Sequence, residues 1–196
     1  EARRLGGKVY GGPKWTVSPV YEGMLKEEMD AAAQRHPDVA YEPVLIDATL
    51  AGLVSGAADA PLVIPCLNRD GDLLSDLVLP MFGSIAGAES LLLALDEDLE
   101  PTVVMAEAPH GTAPALEGKD VANPMAMILA AAALLERAEA TAEAARAIRA
   151  SVAEAVAEGV RTADLGGHAG TREFTDAVIE RASRKLAAAG GQAGKG

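Results

Sequence analysis

The sequence predicts an α/β fold. Short apolar runs of strand length alternate with segments of helical spacing through the first two thirds, glycine and proline punctuate the joins, and the last third reads as helix alone. The 196 residues suit one substantial domain or two small ones. A hydrophobic share of 49% against 23% charged supplies ample core and excludes disorder. Seventeen basic against twenty-nine acidic residues leave a net charge of −12, the wrong sign for a nucleic-acid binder. Apolar runs are short and broken by charges or glycine, so no membrane span is expected. The single cysteine, Cys66, forbids an internal disulfide and agrees with a reducing, cytoplasmic setting. The chain opens Glu1-Ala2-Arg3-Arg4, without a start methionine or an apolar signal core, and reads as beginning inside something longer.

Residues 1–6 read as the last turn of a helix stopped by Gly6-Gly7, followed by an extended Lys8-Val9-Tyr10 and a turn at Gly11-Gly12-Pro13. Ser18-Pro19 has the chemistry of a helix start, the serine accepting an orphan N–H and the proline losing nothing at the first position. Met24, Leu25, Met29 and Ala32 then repeat at helical spacing to about Arg35. Pro43-Val44-Leu45-Ile46 reads as a strand ending at Asp47, with a short helix to Val54. Ala60 to Leu67 is an almost wholly apolar run, as in a strand covered on both faces. A polar turn from Asn68 to Asp72 leads into a helix through Leu79, and Phe82 to Gly87 is a glycine-spaced connection. Leu91 to Leu95 and Thr102 to Ala106 are further strands. His110 to Asn123 has no periodicity, and loops of that length in compact domains are commonly functional. Asn123-Pro124 caps a helix carrying Ile128, Leu129, Ala132 and Leu135; a second runs from Thr141 to Glu158; a third starts near Thr171 with Phe174, Val178, Ala182 and Leu186 at four-residue steps. The Ala/Gly-rich tail from Ala187 is expected to fray.

The densest chemistry is Asn68-Arg69-Asp70-Gly71-Asp72-Leu73-Leu74-Ser75-Asp76. If Asp72 opens the helix, Asp72 and Asp76 project from one face. Oxygen-only ligands suit Mg²⁺ or Mn²⁺; the alternative is two acids stabilising a helix N-terminus. Asp47, at the expected carboxyl end of a strand, stands where open α/β sheets place ligands, unless it is a cap. Lys14 lies in a tight turn beside Trp15 and is either a surface lysine or, near a divalent cation, a base. Glu107-Ala108-Pro109-His110-Gly111-Thr112-Ala113-Pro114 follows a strand directly. His110 and the backbone of Gly111 to Ala113 suit a nucleotide, by stacking and by N–H groups aimed at phosphate; the alternative is a rigid proline-bounded loop. No Gly-x-Gly-x-x-Gly opens a helix after a strand, and no P-loop is present. His168 reads as a loop residue and Cys66 as an inert core thiol.

Together these segments resemble the isocitrate/isopropylmalate dehydrogenase family of metal-dependent β-decarboxylating enzymes. The resemblance runs from Gly11 to about Ile179. It rests on Asn68-x-Asp70-Gly71-Asp72-x-x-Ser75-Asp76, on Glu107-x-x-His110-Gly111-Thr112-Ala113-Pro114, on Gly118-Lys119-x-x-Ala122-Asn123-Pro124, and on Asp164-Leu165-Gly166-Gly167 before Thr171-x-Glu173-Phe174. It implies the family's non-Rossmann α/β fold, incomplete at the N-terminus. It assigns Asp72 and Asp76 as metal ligands, Asp47 as a third carboxylate reaching into a partner's site, and Lys14 as the catalytic lysine supplied the same way. Glu107, His110, Gly111, Thr112, Ala113, Pro114, Ala115, Leu116 and Asn123 match the nucleotide loop. Such sites imply a homodimer with shared active sites, Mg²⁺ or Mn²⁺, and NAD or NADP.

The resemblance divides the chain into residues 1–68, part of the small domain, residues 69–186 with the metal ligands, nucleotide loop and terminal helices, and a flexible tail, 187–196. It implies oxidative decarboxylation of a 2-hydroxy di- or tricarboxylate, isocitrate first, with isopropylmalate, homoisocitrate and tartrate as alternatives. Ala115-Leu116 offers neither an acid for the ribose nor a lysine for a 2′-phosphate, and Glu117 tilts the choice toward NAD. The family's tyrosine acid and its carboxylate-binding serine, asparagine and arginines are expected upstream of Glu1, which makes the chain catalytically incomplete alone. Two rivals stand beside this reading: a non-catalytic regulatory subunit of the same fold, and a helical module whose carboxylates bind metal for structure.

Overall fold

The computed structural model describes residues 1–56, 60–81 and 83–193. Phe82, part of the glycine-spaced connection, and the last three tail residues lie outside the described residues. The chain divides into two compact units, Glu1–Val78 and Leu79–Gly196.

The first unit is built on a parallel three-stranded sheet. Helix α1 (Ala2–Leu5) stops at Gly6, whose φ of 62° gives the left-handed turn that ends a helix at little steric cost. Strand β1 (Lys8–Tyr10) follows, then α2 (Tyr21–Arg35), β2 (Tyr41–Glu42), α3 (Ile46–Val54), β3 (Leu62–Val63) and α4 (Asn68–Met81). The strand order is β2-β1-β3, with Val9 opposite both Tyr41 and Val63. Parallel neighbours need crossovers, and α2 and α3 supply them. Because all three strands are parallel, the segments leaving their carboxyl ends gather at one edge of the sheet, where α/β folds place ligands.

Several elements differ from the sequence reading. Helix α2 begins at Tyr21 with no side-chain cap. Ser18 contributes its carbonyl, which accepts the Glu22 N–H at 3.0 Å, and its hydroxyl is not the cap. Met29 is buried as expected, but Met24 is 62% exposed. The strand expected at Pro43–Ile46 lies earlier, at Tyr41–Glu42; Pro43 has no N–H to extend a ladder. The apolar run 60–67 forms only a two-residue strand, half-buried, because Pro61 and Pro65 bracket it. Cys66 is half-buried there, and burial followed by the Asp70 charge pushes its thiol pKa up.

The second unit pairs a β-hairpin with three helices. Strands β4 (Ser90–Leu95) and β5 (Pro101–Glu107) are antiparallel, from Ser90 opposite Glu107 to Leu95 opposite Pro101. Their turn is fixed by Asp96, whose Oδ1 accepts the N–H groups of Asp98 and Glu100 at 3.0 and 2.9 Å. Asn123 caps α5 (Met125–Leu135) as read from sequence, Oδ1 accepting the Met125 N–H at 3.0 Å. Helices α6 (Ala142–Ala157) and α7 (Thr171–Ala193) complete the unit. The core gathers Ala86, Met125, Ala126, Leu129, Val152, Ala155, Phe174 and Val178. Phe174, wholly buried, is the largest fully buried side chain among the described residues. Helix α7 runs to Ala193, beyond the expected end near Leu186. Among the described residues no helix is long and apolar enough to cross a membrane.

Candidate active site

Lys14 and Asp47 are brought together by the sheet. Lys14 lies in the loop leaving β1, where Gly11 and Gly12 take φ values of 88° and 154°. A Cβ on Gly11 would stand 2.8 Å from the hydroxyl of Thr49, a fully buried residue of α3, so glycine lets this loop press against that helix. Asp47 lies in the first turn of α3, not at a strand end, because β2 stops at Glu42. The Lys14 ammonium and the Asp47 carboxylate form an ion pair. The hydrogen bond from Lys14 holds the Asp47 carboxyl below the usual carboxylate range, outweighing the opposing effect of burial, and the Lys14 charge adds to the lowering.

Asp72 and Asp76 stand on α4, which opens at Asn68, four residues before Asp72. The polar run read as a turn is the helix's first turn; Asn68, an accepted capping residue type, begins it and its amide donates to Asp72 Oδ2 at 3.2 Å. Both aspartates are exposed, and their spacing of one helical turn puts them on one face as expected. Among the described residues no three His, Cys, Asp or Glu side chains gather into a metal-binding group. The donor set that α4 does offer, two exposed carboxylates one turn apart, fits two positions of a hard divalent cation and leaves the rest to other donors.

The sequence reading missed an acid beside Lys14. Glu22, only 7% exposed, accepts the Lys14 backbone N–H and sits 3.6 Å from the Arg69 guanidinium at the start of α4. A signal was present: Glu22 shares its helical face with Leu25 and the buried Met29, and a carboxylate in an apolar stripe needs a reason.

In the second unit, Glu107 ends β5 and residues 110–120 are all exposed. His110 Nδ1 is 3.0 Å from the Gly111 carbonyl, and Ala113, at φ 42°, precedes a 3₁₀ turn over Pro114–Leu116. The loop's far end is tied down. Asn123 donates to Asp164 Oδ2 at 3.0 Å, Ser84 donates to the same oxygen, and Thr162 donates to Oδ1. Burial would raise the Asp164 carboxyl, but these three bonds outweigh it and hold it below the ordinary range. Asp120 accepts the Arg172 N–H at 3.0 Å at the start of α7, and Thr171 donates to the Ala122 carbonyl. His168 is an exposed loop residue, as expected.

Comparison with known proteins places this architecture. The family model described as isocitrate/isopropylmalate dehydrogenase matches residues 2–178. A 3-isopropylmalate dehydrogenase of Novosphingobium aromaticivorans is 40% identical over 158 residues, covering 81% of this chain and 45% of that protein. A mitochondrial NAD isocitrate dehydrogenase catalytic subunit of Arabidopsis thaliana is 34% identical over 175 residues, 84% of this chain and 44% of that protein. Thus the chain spans about half the length of the curated relatives it matches. Among solved structures, isocitrate dehydrogenase from Methylococcus capsulatus superposes with a TM-score of 0.77 at 29% identity, covering 92% of this chain and 52% of that one. A β-decarboxylating dehydrogenase from Thermococcus kodakarensis gives 0.78 at 26% identity, with 95% and 52% covered. With its fold, and with the family match extending over nearly its whole length, the chain belongs to the isocitrate/isopropylmalate dehydrogenase family.

Proposed function

We propose that this protein carries out metal-dependent oxidative decarboxylation of a 2-hydroxy di- or tricarboxylate, isocitrate first, with hydride transfer to NAD or NADP. The observation that carries the reading is the Lys14–Asp47 ion pair at the carboxyl ends of a parallel sheet, in a chain of this family. On this reading Asp72 and Asp76 hold Mg²⁺ or Mn²⁺ on one subunit, and Lys14 and Asp47 serve the site of a second copy. When bound, the metal polarises the substrate hydroxyl and its adjacent carboxylate. The nicotinamide supplies the hydride acceptor. Lys14 Nζ exchanges the hydroxyl proton, and Asp47 orients the ammonium that results. Exposed backbone from His110 to Leu116 receives the nucleotide, while Asn123 closes the loop against Asp164.

Isopropylmalate is the second reading of the substrate, favoured by the 40% identity to a 3-isopropylmalate dehydrogenase. Turnover of isocitrate, 3-isopropylmalate, homoisocitrate and tartrate with Mn²⁺ and each nucleotide, measured in the intact enzyme, tests the proposal. One of the four substrates should yield reduced nicotinamide and CO₂ in equal amounts, and Lys14→Met should abolish both while leaving the far-ultraviolet spectrum unchanged. Undiminished turnover in Lys14→Met would overturn the assignment.

A further inference from the structure

Glu22 occupies a place that the proposed reaction does not use. An ionised carboxylate only 7% exposed is costly unless it is hydrogen-bonded or paired. One oxygen accepts the Lys14 backbone N–H, and the other lies 3.6 Å from Arg69 Nη2. Arg69 in turn donates through Nε to Asp70 Oδ1 at 3.0 Å. Asp70 is 6% exposed, and its second oxygen, Oδ2, is buried without a hydrogen-bond partner. One exposed guanidinium therefore serves two buried carboxylates. The contacts run without a break from the Lys14 backbone to the first turn of α4, the helix of Asp72 and Asp76.

We infer that Glu22 is a positioning residue that sets Lys14 and ties its loop, through Arg69, to the start of α4. The inference rests on the reading of Lys14 as the proton-exchanging group. Its physical reason lies in the loop. Gly11 and Gly12 impose little conformational restriction of their own, and the lysine stem beyond them is long and flexible. The Lys14 carbonyl accepts the N–H groups of Val17 and Ser18 at 3.0 and 3.1 Å, so Glu22 completes the capture of this residue's backbone. With the backbone fixed, only side-chain rotamers remain for Nζ to search, and Asp47 selects among them. A glutamine at position 22 still accepts the N–H, more weakly than a carboxylate, but gives up the ion pair with Arg69.

The test reads Lys14 by nuclear magnetic resonance in the whole chain and turnover in the intact enzyme. In Glu22→Ala the Lys14 amide should exchange with solvent roughly tenfold faster or more, the loss expected for a hydrogen bond to a charged acceptor. Met29 and its neighbours in α2 should keep their protection. Glu22→Gln should restore most of the Lys14 protection while the Arg69 Nε–H resonance shifts. In turnover, Glu22→Ala should lower kcat with KM nearly unchanged, and Glu22→Gln should recover part of the loss. Should Glu22→Ala unfold α2, Glu22→Gln decides through the Arg69 Nε–H resonance and kcat, and Arg69→Gln through kcat. Unchanged Lys14 exchange in Glu22→Ala, or unchanged kcat beside faster exchange, overturns the inference. Retained turnover in Lys14→Met overturns instead the reading on which it rests, whatever the exchange rates show.

Discussion

The Lys14 ammonium pairs with the Asp47 carboxylate, joining the loop that leaves β1 to the first turn of α3. Neither residue is remarkable in sequence. Their meeting depends on β1 lying beside β2 in a parallel sheet, with Gly11 letting the loop approach Thr49.

That pair sets a pH dependence. Lys14 depresses the folded-state pKa of Asp47, so the pair's contribution is fully present above the ordinary aspartate pKa of about 3.9 and is lost as pH falls through the lower folded value. The exposure of Asp47 makes the energetic effect small, but its carboxyl carbon resonance reports the shift directly. The titration midpoint should lie below the ordinary value, and Lys14→Met should move it upward. An identical midpoint in both proteins would contradict the pairing.

Asp164 anchors three donors from separate segments, Ser84, Asn123 and Thr162. Asp164→Ala should cost about 1–2 kcal/mol, reduced from a fully buried case by partial exposure. It should also speed amide exchange from residue 118 to residue 123, the end of the loop held by Asn123. Urea unfolding and exchange rates measure the two effects. Stability within error of the parent, with no change in that exchange, would remove Asp164 from this role.

Two glycines should respond oppositely to the same substitution. A Cβ on Gly167 would fall 2.0 Å from the Arg161 carbonyl oxygen, a backbone atom that cannot step aside, so Gly167→Ala should destabilise by about 2 kcal/mol or more. Nothing lies within 4 Å of a Cβ on Gly111, and Gly111→Ala should stay within about 0.5 kcal/mol while still probing nucleotide binding. Thermal unfolding of both variants checks the contrast, and equal losses would contradict it.

Most of the element order was legible. The helical spacing of Ile128, Leu129 and Ala132, the cap at Asn123 and the glycine stop at Gly6 are local signals, and the structure follows them. Failures came where local rules compete. Asn68 to Asp72 has the composition of a turn, yet its residues form helix, with Asp70 buried and hydrogen-bonded by Arg69. The apolar run around Ile64 looked like a covered strand, but its flanking prolines remove the donors a ladder needs. Asp72, Asp76 and the loop residues were proposed from their motifs, and Lys14 and Asp47 from their places in the chain and the resemblance, whereas Glu22 and the links of Asp164 gave no such signal. A buried carboxylate announces itself only when its helix face is known, and the bonds of Asp164 join segments distant in sequence.

The account turns on whether α4 holds a hard divalent cation through Asp72 and Asp76. Mn²⁺ titration followed by electron paramagnetic resonance, with isocitrate or 3-isopropylmalate present, asks this of the intact protein. The account predicts bound Mn²⁺ whose affinity rises with the true substrate and falls by about tenfold or more in Asp72→Asn and in Asp76→Asn. Equal Mn²⁺ affinity in the parent and both variants would contradict it.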